Sequence, residues 1–135
     1  MDDETLFAAF AARTLPAAEW THQAHLRIAW MHLARYPDLD EAHLRVRIGI
    51  VRLNTAHGLE ETPTRGYHET LTRVWLSLVA AARVVEACGD SRSFLARHVG
   101  AFDRAAPLAH YSRERIMSVR ARSVFVEPDL APLPF

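Results

Sequence analysis

The sequence predicts an all-α protein, a single-domain antiparallel bundle of about five helices with an extended C-terminal tail. Three observations predict it. Apolar residues recur at three- and four-residue spacing between N-capping residues and glycine or proline stops. No segment sustains the apolar–polar alternation of a strand. The 135 residues, half of them hydrophobic, suffice for one core without a disulfide or a structural metal. Residues 1–135 therefore read as one helical domain, in which 111–135 form short turns and a proline-containing tail.

Each element has its own signal. The first helix runs from about Asp3 to Arg13, with acids in its first turn, Leu6, Phe7 and Phe10 on one face, and Pro16 beyond its end. The second starts behind Thr21 and stops at Tyr36, before Pro37. The third extends from near Asp40 to His57, with Gly58 as the residue after its end. A polar loop, Leu59 to Gly66, leads to a fourth helix from near Tyr67 to Cys88, closed by Gly89. A fifth, capped by Ser91, spans about Arg92 to Arg104. Ser112 and Ser118 read as caps of short helical turns, and the tail from Glu127 to Phe135 packs across the bundle.

Composition narrows the function classes. The lone Cys88 has no partner for an internal disulfide and reads as a small buried side chain near a helix end. The longest apolar stretch, Val74 to Ala82, is far short of the roughly 20 residues of a membrane span, and the acidic start Asp2-Asp3-Glu4 is unlike a signal peptide. The expectation is a cytoplasmic protein without a membrane partner. All sixteen basic residues are arginine, as GC-rich coding would give, and they balance sixteen acids. Between Ser91 and Arg122, seven arginines face only Asp103 and Glu114. That basic third suits an anionic ligand. It lacks aromatic interleaving and a recognition-helix pattern, so nucleic acid is not the expected partner. A homo-oligomer is compatible with the sequence.

The eight histidines carry the main chemical signal. At about 100° per residue, His22, His25 and His32 border the apolar stripe of the second helix. His68 shares a face with Leu71, Trp75 and Val79 on the fourth, with Glu69 about 100° away, and His57 shares the stripe of Val46, Ile50 and Leu53 on the third. In an antiparallel bundle the start of the second helix, the end of the third and the start of the fourth meet at one end. His22, His25, His57 and His68 then form one layer, a ligand set for a divalent metal (zinc, iron, nickel or manganese). His32, His43 and His98 read as structural.

Two motifs add to this layer. In Thr62-Pro63-Thr64-Arg65-Gly66-Tyr67-His68-Glu69-Thr70, Thr64 reads as the helix cap, and Arg65 and Tyr67 as ligand contacts. His68 and Glu69 are the candidate acid–base pair. In His110-Tyr111-Ser112-Arg113-Glu114-Arg115, the pair Arg113 and Arg115 can clamp an anion. Against these stands a bland reading of each motif, as a capped helix start and a capped turn.

The strings THQAHLRIAW (Thr21 to Trp30), TPTRGYHET (Thr62 to Thr70) and YSRERIMS (Tyr111 to Ser118), with the EPDLAPL tail, resemble a family of small, uncharacterised bacterial all-α proteins. The resemblance implies a bacterial source and a stand-alone domain, and it assigns no activity, cofactor or site residue.

The leading expectation is a divalent-metal-binding helical protein with a histidine-lined pocket that takes a small anionic molecule and acts on it. The alternative is a non-catalytic helical interaction domain whose histidines brace the bundle.

Overall fold

Side-chain caps set where the helices begin. In the computed structural model, which describes residues 1–135, α1 (Asp3–Ala12) starts behind Asp2, whose carboxylate accepts from the Thr5 N–H at 2.8 Å. α2 (His22–Arg35) starts behind Thr21, whose hydroxyl accepts from the Ala24 N–H at 3.2 Å. Asp38 caps α3 (Leu39–Ala56) in the same way through the Glu41 N–H. Asp90 caps α5 (Ser91–Arg97), and Ser112 and Ser118 cap the single turns α6 (Arg113–Ile116) and α7 (Val119–Ser123). Each cap satisfies an amide that the helix itself leaves without an acceptor. There is no strand, and the chain is an all-α helical bundle.

Two helices differ from their sequence reading. α4 spans Glu69–Val85, beginning two residues after Tyr67 and ending before Cys88. The chain leaves the helix so that the Ala87 carbonyl can accept the Trp30 indole N–H at 2.8 Å, and half-buried Cys88 takes a left-handed φ of 60°. α5 ends at Arg97 instead of Arg104, because the chain turns through Gly100 at φ 86°. Ser91 is not its cap but its first residue. It is fully buried, gives its N–H and hydroxyl to Asp3, and accepts from Arg27 at 2.8 Å.

α4 is the centre of the fold, packed on α2 and α3 on one side and on α7 on the other. Val74 and Leu76 lie two positions apart, about 200° around the helix, and so belong to different cores. Leu76 joins the larger core with Phe10, Ile28, Met31, Leu53 and Phe94. Val74 joins a smaller one with Tyr111, Ile116, Ala121 and Val126. Burying each such side chain contributes about 1.5–3 kcal/mol.

The C-terminal residues lie along α4. Thr70 and Ser77, seven positions apart on one helical face and both fully buried, hold this segment. Thr70 donates to the Val124 carbonyl and accepts from the Val126 N–H, and Ser77 pairs with the Phe135 backbone at 3.0 Å. No helix is long and apolar enough to cross a membrane.

Candidate functional site

Every histidine ring is tied down, and the ties define the chemistry. His22 Nε2 donates to the Phe102 carbonyl at 2.8 Å, His25 Nδ1 to the Thr21 carbonyl at 2.7 Å, and His57 Nε2 to the Leu15 carbonyl at 2.7 Å. His68 is committed at both nitrogens. Its Nε2 donates to the Ile116 carbonyl at 2.8 Å, and its Nδ1 accepts from the Leu71 N–H at 3.0 Å, which makes it the N-cap of α4. His32, His98 and His110 also donate to backbone carbonyls. A ring N–H held by a carbonyl fixes the tautomer and leaves a lone pair on the other nitrogen.

His22, His25 and His68 do line one cavity, of about 460 Å³, where the starts of α2 and α4 meet α3 along Val46, Ile50 and Asn54. Its aromatic walls are paired. Trp20 stacks on His25 with ring centres 3.7 Å apart, and Trp75 meets His22 edge-on at 4.9 Å. Asn54, Tyr67 and Thr72 add polar groups, and Arg104 brings the one charged side chain to the lining. Nδ1 of His22 and Nε2 of His25 have no partner in the protein. Burial, above all, pushes His25 down to about 4, with His22 and Arg104 acting in the same direction, so His25 is neutral at pH 7. Burial also lowers His68.

The expected four-histidine layer does not assemble. His57 is turned to Leu15 outside the cavity, and both nitrogens of His68 are occupied, which leaves it no lone pair for a metal and no free site for acid–base work. No three histidine, cysteine, aspartate or glutamate side chains are placed to share a metal ion. The physical reason is the course of the loop. Instead of crossing directly to α4, residues 59–68 run back along α3. Glu61 holds them there by accepting from Asn54 Nδ2 at 3.2 Å and from the Tyr67 N–H at 2.7 Å. Gly66 takes a φ of 103°, which strains any residue with a side chain, and a Cβ there would also push the Glu61 carboxylate from its place. α4 therefore begins beside the middle of α3 and not beside His57.

Glu69 lies on the other side of Tyr67, away from His68. Its carboxylate accepts from His43 Nε2 at 2.7 Å, from the Tyr67 hydroxyl at 2.6 Å, and from Arg47 at 3.2 and 2.6 Å. Burial pulls Glu69 up, yet these donors outweigh it and hold the carboxyl below its ordinary range. Burial, and then the hydrogen bond to Glu69, raise Tyr67. The expected His68–Glu69 pair is thus replaced by His43–Glu69, which sequence reasoning missed. The signal was present: Glu69 falls about a quarter-turn from His68, so the two could not share a face.

The remaining predicted contacts lie outside the cavity. Thr64 does not cap α4. Its N–H donates to the Thr62 hydroxyl within a tight turn closed by Thr62–Arg65 backbone bonds, and both Thr64 and Arg65 are exposed. Arg113 and Arg115 are exposed on α6, where Arg115 donates to the Glu127 carbonyl. Of the expected ligand contacts only Tyr67 lines the histidine cavity, and Arg104 supplies the cation instead. Compared with protein-family models, curated proteins and solved structures, the chain matches none.

Proposed function

We propose that the protein binds a small, planar, anionic molecule in the cavity between the Trp20–His25 and His22–Trp75 pairs. One observation carries this reading: two imidazoles lining the same cavity each have one nitrogen locked on a backbone carbonyl and the other unpartnered. Such lone pairs accept hydrogen bonds, so they select a ligand with N–H or O–H donors. The indole walls favour a flat ring, and Arg104 favours a carboxylate or phosphate on it.

A divalent metal is the second reading, and the carbonyl locks favour it. Metal-ligating histidines are commonly oriented by a hydrogen bond from the other ring nitrogen, as His22 and His25 are. Two imidazoles would then serve as the protein ligands, with the bound anion and water completing the shell.

Indole-2-carboxylate, which is flat and carries both an N–H and a carboxylate, tests the reading by calorimetry and tryptophan fluorescence on untagged protein. We expect saturable binding that is weakened at least fivefold by His22→Gln and by Arg104→Ala. Added zinc tightens that binding if the metal reading holds and leaves it unchanged if the pocket acts alone. No heat and no fluorescence change from the probe, with or without zinc, would overturn both readings.

A further inference from the structure

His43 differs from every other histidine in the chain. The other seven donate to backbone carbonyls, whereas His43 donates to a carboxylate, that of Glu69 at 2.7 Å. It is only 6% exposed, and its Nδ1 has no partner in the protein. Its ring lines a second cavity of about 540 Å³, formed by α3, α4 and the C-terminal segment, on the far side of Tyr67 from the first. The lone pair on Nδ1 is therefore open to a donor on whatever fills the cavity.

The charges around it say what kind of donor. Asp40, Glu69 and Glu127 face Arg47 and Arg73, so with His43 neutral the cavity carries one net negative charge. Arg47 is bound to Glu69 through two nitrogens and Arg73 to Asp40 at 2.8 Å, so each guanidinium charge is already matched by a carboxylate. The Glu127 carboxylate has no ion-pair partner, and that of Asp40 remains 86% exposed despite its bond to Arg73. Phe125 and Leu133 supply an apolar wall beside these acceptors.

We propose that this cavity is a binding site for a small primary amine. Its ammonium group is received by His43 Nδ1 and by the carboxylates of Asp40 and Glu127, and its hydrocarbon part rests on Phe125 and Leu133. Glu69 is a positioning residue here, since it accepts from Nε2–H and so keeps the lone pair on Nδ1. The site is independent of the histidine cavity proposed above, and either can fail alone.

Ring 1H–15N spectra of the whole chain test it with phenylethylamine, phenylacetate and 2-phenylethanol, which share a ring and differ in charge. The free protein should show His43 as a neutral ring protonated at Nε2. Phenylethylamine should shift the His43 Nδ1 signal saturably, with the alcohol weaker and phenylacetate without effect. Asp40→Asn, which keeps an acceptor for Arg73, and Glu127→Gln, both at exposed positions, should each weaken the amine at least threefold. A His43 ring protonated at both nitrogens, a shift by phenylacetate equal to that by the amine, or no shift by any probe would each overturn the proposal.

Discussion

The two cavities share Tyr67, whose ring lines the first and whose hydroxyl donates to Glu69 in the wall of the second, yet their histidines are held in opposite ways. In the first, uncharged backbone carbonyls orient His22 and His25 among indole rings. In the second, an ionised carboxylate orients His43 among charged side chains. A carbonyl fixes a tautomer without favouring protonation strongly, so burial dominates and His25 falls to about 4. At His43 burial also lowers the ring, but the Glu69 charge opposes it. The lesson is that burial lowers both rings, and that the partner of the bonded nitrogen sets how strongly burial is opposed.

Removing Glu69 should break the comparison most severely. Its carboxylate satisfies donors from three side chains, with only 16% of the side chain exposed. Glu69→Ala leaves Arg47, His43 and Tyr67 without their acceptor, and we expect a loss of about 3 kcal/mol in urea denaturation. A loss below about 1 kcal/mol would mean that water replaces the carboxylate and that the second cavity is not built around it.

His25 gives the next effect, and its sign follows from linkage. Its folded value lies below the ordinary value of 6.5, so on acidification the unfolded chain takes up the proton first. The stabilisation is therefore complete above about pH 6.5 and is lost as pH falls towards 4, by at most on the order of 3 kcal/mol. His25→Phe, which keeps a ring against Trp20, should flatten the stability profile across that window. An unchanged slope would place the acid sensitivity elsewhere.

How far these sites were legible in the sequence depends on which residues are asked about. Helical spacing and the Thr21 cap placed His22 and His25 correctly, because both follow from local geometry within one helix. The inward direction of His68 and its company with His22 also followed. His57 was misplaced and the His43–Glu69 contact was missed, since both depended on the path of residues 59–68. That path is decided by Glu61, which reaches Asn54 and the Tyr67 amide, and spacing within a helix contains no information about such a contact. Thr64 misled because a Thr-Pro-Thr run resembles a helix start as closely as it resembles the tight turn it forms.

His68 supplies the smallest of the three effects and separates capping from chemistry. As N-cap of α4, its Nδ1 accepts the Leu71 amide while Nε2–H holds the Ile116 carbonyl. His68→Ala leaves both groups unpaired and should cost about 1–2 kcal/mol. His68→Asn, which restores a cap acceptor, should recover a large part of that loss. If His68 were instead a ligand or acid–base group of the first cavity, the asparagine variant would regain stability without regaining indole-2-carboxylate binding. Because both its nitrogens are occupied by the backbone, we expect stability and binding to return together, measured on the same sample by urea denaturation and calorimetry.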